Sequence, residues 1–183
     1  PSSNPTGRPA ALLVAGPGNP RGEAEVRNVS RHYPRSTVLT GTAATAAATL
    51  TALDQAGIAH LAAHGRHQAE NALFSTLELA GGPLLGYDLQ RLGRSPAMVV
   101  LSSCDLGLAD VRPGDETVGM VTALLATGTG TVVASVARVG DDPATEIMTR
   151  FHRLLAAGVP PAAALARAGQ AGPPAGFVCF GAG

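Results

Sequence analysis

Three features of the sequence predict an α/β fold in which helices cover both faces of a mostly parallel sheet. Short apolar runs of strand length alternate with helix-compatible segments, and that alternation makes parallel sheets. The runs, among them AALLVAG (10–16), IAHLAAHG (58–65), PAMVVLSS (96–103) and TVVASVA (131–137), are nearly continuous in apolar residues. Strands buried on both faces read this way. Gly or Pro punctuates many of their ends, which marks turns. In such sheets ligands sit outside the carboxyl ends of the strands, so the residues that close each run are where chemistry is sought.

Element by element, residues 1–9 (PSSNPTGRP) read as a polar linker and residues 10–183 as one domain. After the first strand, Ala24, Val26, Val29 and Tyr33 fall at helical spacing within 22–33, and STVLTG (36–41) is a second short strand. Thr42 to Ala56 is a helix ended by Gly57, and IAHLAAHG is the third strand, stopped by Gly65. Residues 66–95 are more polar, with LEL, GG and LL suggesting a hairpin or an excursion from the sheet, then a short helix over 86–93. PAMVVLSS follows, then a polar loop, then a helix over 117–127 that Asp115 is placed to cap. TVVASVA precedes a helix opened by Asp142-Pro143, another opened by Pro160-Pro161, and a last strand, GFVCFG (176–181).

Composition removes several classes of function. The 183 residues carry 13 Arg, no Lys and 13 acidic residues, a formal net charge of zero. No broad electrostatic attraction to nucleic acid or anionic lipid follows from such a balance. Aromatics are 3% and Trp is absent, which leaves little for base stacking. No run of 18 apolar residues offers a membrane span, and the first residues lack the apolar core of a signal peptide. Two Cys 75 residues apart do not make a disulfide framework, so a reducing, cytoplasmic setting is expected. The chain opens without Met, as a segment of something longer does.

Two motifs read as structure. Gly16-Pro17-Gly18 with Gly22 sits between a strand and a helix, but its spacing is not that of a dinucleotide loop, its prolines remove N–H groups, and the next strand ends VLTG without an acid. It is a strand-to-helix turn. His60-x-x-x-His64, with His67 nearby, lies on a strand rather than a helix and has no acid between its histidines, so no metal site is expected.

A third combination carries chemistry. His64-Gly65 closes one predicted strand and Cys104 closes the next long one. Neighbouring parallel strands bring such ends together. An imidazole beside a thiol takes its proton and makes the thiolate, which is the nucleophile, and then protonates the leaving amine. The backbone N–H groups of Gly65 and Cys104 are candidates to hold the oxyanion. Taken singly, Cys104 reads as a buried thiol and His64 as a satisfied polar residue; their positions together favour catalysis.

In order along the chain, GEAEVRNV, VLTGTAAT, IAHLAAHG, LSSCDLG, the helix from Gly119, VVASVARVGDD and GFVCFG resemble a CHAT domain over roughly residues 10–181. The resemblance implies a caspase–hemoglobinase-like fold, a three-layer α/β/α sandwich around a six-stranded, mostly parallel sheet. It implies a bacterial cysteine peptidase with a Cys–His dyad and no cofactor, usually attached to tetratricopeptide (TPR) repeats. His64 matches the dyad histidine, Cys104 the nucleophile, and Gly65 and Cys104 the oxyanion donors. Ser102 falls where caspase-like enzymes line the pocket for the residue before the cut. Where many relatives carry Trp-Pro this chain has Ala137-Arg138, so Arg138 is a candidate to enter the site. Asp141 and Asp142 match the family's acid; they cap the next helix or draw a basic substrate side chain. Cys179, inside the last strand, is read as core.

The leading expectation is an endopeptidase that cuts a protein partner and is held in check by sensor repeats or another protein, so that the isolated domain is weakly active. Loops 66–75 and 105–115 flank the expected cleft. The alternatives are a catalytically silent protein-binding module and a small-molecule α/β enzyme such as a transferase, the last without a convincing phosphate loop.

Overall fold

The computed structural model describes residues 10–66, 68, 71–102, 115–135, 141–170 and 176–182. In chain order the elements are β1 (Ala11–Ala15), α1 (Pro20–Ser30), β2 (Ser36–Leu39), α2 (Ala46–Leu53), β3 (Ile58–Ala62), β4 (Gly65–Arg66), β5 (Thr76–Leu79), β6 (Gly82–Leu85), β7 (Met98–Leu101), α3 (Asp115–Ala126), β8 (Thr131–Ser135), α4 (Asp141–Ala156), α5 (Pro161–Gly169) and β9 (Phe177–Gly181). Short 3₁₀ turns lie at Gly41–Ala43, Ala72–Phe74 and Gly86–Arg91.

Six strands form one sheet in the order β2-β1-β3-β7-β8-β9. All neighbours are parallel except β8 and β9, which run antiparallel. Strand alternation sorts the apolar side chains onto two faces. Leu12, Val14, Ala59, Leu61, Val99, Leu101, Val132 and Ala134 join a core with Leu53 of α2 and Met120 and Leu124 of α3. On the other face, Leu13 and Ala62 pack with Val26 and Val29 of α1, while Val100 and Val133 pack with Ile147, Met148 and Phe151 of α4 and Ala164 of α5. The result is an α/β/α sandwich, as the strand pattern predicts. The second sheet, β4-β5-β6, is antiparallel and small; it is the excursion expected within 66–95.

Several boundaries differ from those read in the sequence, each for a local reason. The first helix begins at Pro20, not Gly22, because the Asn19 side chain accepts the Gly22 N–H at 2.7 Å and Pro20 supplies the fixed φ of a first turn. The second begins at Ala46 because Thr45 caps it through the Ala48 N–H at 3.1 Å; residues 41–43 form a 3₁₀ turn before it. Asp115 is the first residue of α3 itself rather than the residue before it. The third strand stops at Ala62, and Gly65 starts β4 in the other sheet.

Candidate active site

The geometry of the rim begins with β3 and β7, which are adjacent and parallel with Leu61 opposite Leu101. The Ser102 N–H donates to the Leu61 carbonyl at 3.0 Å, carrying the ladder one step past the strands. His64 stands three residues beyond Leu61, and Cys104 three beyond Leu101. Cys104 itself lies outside the described residues, as does Arg138.

His64 is half-buried and sits where the two sheets meet. Its carbonyl accepts the Glu78 N–H at 2.8 Å, and Gly65 then lies opposite Leu77. In an antiparallel ladder, bonded and non-bonded pairs alternate. The His64–Glu78 bond therefore makes Gly65–Leu77 a non-bonded pair, and the Gly65 N–H stays outside that ladder. On the exposed side, Arg66 meets the Glu78 carboxylate at 2.8 Å, a surface pair that adds about 0–1 kcal/mol.

Gly16 makes this approach feasible. At the end of β1 its N–H donates to the Ala62 carbonyl at 2.9 Å. A Cβ there would lie 2.7 Å from the Glu78 carbonyl oxygen and 2.9 Å from the Ala63 Cβ. One of these neighbours is backbone and cannot rotate away. Gly16→Ala is therefore expected to destabilise the fold by about 1–3 kcal/mol, read as a lower denaturation midpoint; an unchanged midpoint would show that β5 yields freely.

Ser102 follows β7 directly and is 1% exposed. Its hydroxyl has no hydrogen-bond partner among the described residues. Ser135, at the end of β8, is likewise buried, and because Leu101 pairs with Ala134, Ser102 and Ser135 close neighbouring strands side by side. Asp141 and Asp142 are the first two residues of α4, and their side chains lie outside the described part. Carboxylates are favourable in a helix's first turn. The structure thus brings His64, Gly65 and Ser102 to one rim, opened by the ends of β3, β7 and β8.

A family model for the CHAT domain matches residues 2–172. The chain belongs to the CHAT domain family. Membership places it among caspase-like, cysteine-protease-like modules. No curated protein matches the chain. Among solved structures, protein GSU0716 from Geobacter sulfurreducens is similar over 93% of this chain and 92% of its own, with a TM-score of 0.50 and 16% sequence identity. At that identity the likeness concerns the fold.

The CHAT domain also holds a polar cluster that sequence reasoning missed. On the α1/α4 face of the sheet, His60 of β3 is fully buried. Its Nε2 lies 2.7 Å from Oε1 of Glu25, its Nδ1 lies 3.0 Å from Nε2 of His152, and Nδ1 of His152 lies 2.8 Å from the Tyr33 hydroxyl. Thr145 donates to the second Glu25 oxygen at 3.3 Å. Burial, with smaller contributions from His60 and His32, holds the His152 imidazole well below its ordinary range. Burial pushes the Tyr33 phenol up. The signal was present: His60 interrupts an apolar strand, and His152 follows Ile147, Met148 and Phe151 on the apolar stripe of α4. Among the described residues, no group of three or more His, Cys, Asp or Glu is arranged to hold a metal.

Proposed function

We propose that this CHAT domain is a cysteine endopeptidase in which His64 and Cys104 form the dyad. The observation that carries the reading is register. Leu61 and Leu101 are opposite one another on adjacent parallel strands, and the two dyad residues follow them by equal lengths of chain. In the proposed reaction the His64 imidazole removes the Cys104 proton, and the thiolate adds to the scissile carbonyl carbon to form a C–S bond. The carbonyl oxygen becomes an oxyanion met by the N–H groups of Gly65 and Cys104. Collapse breaks the C–N bond, with the imidazolium protonating the departing amine. Water then adds to the thioester, His64 takes a proton from it, and the acid product leaves Cys104 free.

Ser102 is proposed to line the pocket for the residue before the cut. A buried hydroxyl with no partner among the described residues is one that a substrate group can satisfy. Ser102→Ala is accordingly expected to change stability by under about 1 kcal/mol while altering relative kcat/KM across a set of peptides. An unchanged preference profile would remove Ser102 from the pocket. Arg138, Asp141 and Asp142 are proposed as further substrate contacts, with the acids drawing basic side chains.

A protein substrate, control by TPR repeats or another sensor, and a cytoplasmic bacterial setting belong to the same proposal. Among the described residues no helix is long and apolar enough to cross a membrane. The test is a thiol-reactive, substrate-like probe. Labelling of Cys104 that is lost in His64→Gln supports the dyad; labelling that ignores His64 favours the second reading, a silent module that holds a protein partner at the same rim.

A further inference from the structure

The cluster of Glu25, His60, His152, Tyr33 and Thr145 takes no part in the reaction just described and joins three elements: α1, β3 and α4. With Glu25 as a carboxylate and both imidazoles neutral, its hydrogen bonds admit one consistent proton order. The carboxylate of Glu25 can only accept, so His60 Nε2 carries a hydrogen toward it. His60 Nδ1 is then an acceptor, and His152 must donate to it from Nε2. His152 Nδ1 is in turn an acceptor, and Tyr33 donates to it. Thr145 donates to the remaining Glu25 oxygen. Every contact is satisfied with both imidazoles neutral.

An added proton breaks this order. Placed on His60 Nδ1, it faces the His152 Nε2–H across 3.0 Å. His152 can relieve the clash only by turning its own hydrogen to Nδ1, where the Tyr33 oxygen must accept it and the Tyr33 hydroxyl hydrogen loses its acceptor. Tyr33 is 3% exposed, so water does not readily replace the lost acceptor. A buried network of this kind is stabilising when complete and unfavourable when partly satisfied.

We propose that these five residues form a proton-sensitive latch that clamps α1 and α4 to β3 while both imidazoles are neutral and releases that layer as the solution is acidified. Thr145, beside Glu25, lines a groove of about 470 Å³ between α1 and α4 with Arg21, Ala24 and Thr149. Glu146 and Arg150 of α4 are charged groups lining the same groove. His32 follows α1 and is itself lowered by burial and by Arg153 and Arg31. The core beneath Phe151 brings Cys179 of β9, whose thiol burial pushes up. Arg167 of α5 is exposed.

The direction with pH follows from linkage. His152 binds its proton more weakly folded than unfolded, so the unfolded chain takes up the proton first. Stability is full above the unfolded value of 6.5 and falls as pH drops through it. One such site changes the folding equilibrium constant by up to about tenfold per pH unit. Tyr33 sets the opposite limit: the unfolded phenol ionises first near 10 and stability is lost as pH rises beyond it.

The test is denaturant unfolding of the whole chain between pH 8 and 5, in the wild type, in His152→Gln and in His32→Gln. Glutamine keeps one donor and one acceptor but does not titrate. His152→Gln is expected to flatten the acid slope by up to about tenfold per pH unit, and His32→Gln to leave most of it. Equal slopes in the wild type and His152→Gln would overturn the latch. Nitrogen NMR of the wild type reads the tautomers directly, whatever the variants do: Nε2–H on both imidazoles is expected, and an Nδ1–H on His152 near pH 8, or its titration near 6.5 in the folded state, also overturns it. Amide protection factors supply the last readout. Those of α1 and α4 are expected to fall on acidification ahead of those of α2 and α3, whereas a uniform fall refutes a latch confined to one layer.

Discussion

Cys104→Ala is expected to lower peptide cleavage by the CHAT domain by roughly 10⁴-fold or more, with the unfolding midpoint close to that of the wild type. Alanine supplies no thiolate, and nothing else in the proposed mechanism attacks the carbonyl. His64→Gln is expected to lose a comparable factor, because without the base the thiol stays protonated. The double variant should be little worse than either single one, since two residues that act as a unit do not contribute additively. Product formation against time for the four proteins, on a peptide mixture at equal concentration, measures this. Retained cleavage in Cys104→Ala would exclude the dyad outright. A full loss in both singles with multiplied effects in the double would point to two separate roles.

Phe151→Ala is expected to destabilise the fold by about 3–5 kcal/mol. Phe151 is fully buried on α4 and is among the largest such side chains. It fills the space between that helix and the Met98, Val100 and Val133 side of the sheet, with Ala164 of α5 above it. Met98, Val100 and Val133 are held by strand backbone and Ala164 is small, so these neighbours close over a cavity poorly. The ring also stands edge-on to His152, with centroids 5.4 Å apart at 71°. A loss of this size lowers the melting temperature by roughly 6 to 20 °C in a chain of this length. Phe151→Leu, which keeps most of the volume, should lose much less. Equal losses for Ala and Leu would mean that the ring geometry, rather than filled space, is what matters.

The layer order was legible because buried parallel strands write themselves as unbroken apolar runs. Leu12 to Ala15, Val99 to Leu101 and Val132 to Ala134 pack on both faces, so no polar residue interrupts them. Helix starts were less legible, because Asn19 and Thr45 cap through side-chain bonds that compete with equally suitable residues nearby. The meeting of His64 with Glu78 was hidden for another reason: a backbone bond between two sheets has no side-chain signature, and only Gly16, small for the sake of Glu78, records it. The buried cluster was spread over positions 25, 33, 60, 145 and 152. No local spacing links such positions; burial of each polar group on an otherwise apolar face is the sign that partners exist elsewhere in the chain.

The direction of β9 has a practical outcome. Because it runs against β8, Gly181 lies beside Thr131 rather than Ser135. Ala11 lies beside Ile58, so β1 starts and β9 ends at the edge of the sheet opposite the one where β3 leads to His64, about 13 Å away along β3 at 3.3 Å per residue. A fluorescent reporter or an immobilisation tag attached beyond Ala182, which is still bonded to Gly130 and Thr131, is therefore expected to leave the sheet at the edge opposite the rim proposed to hold the dyad.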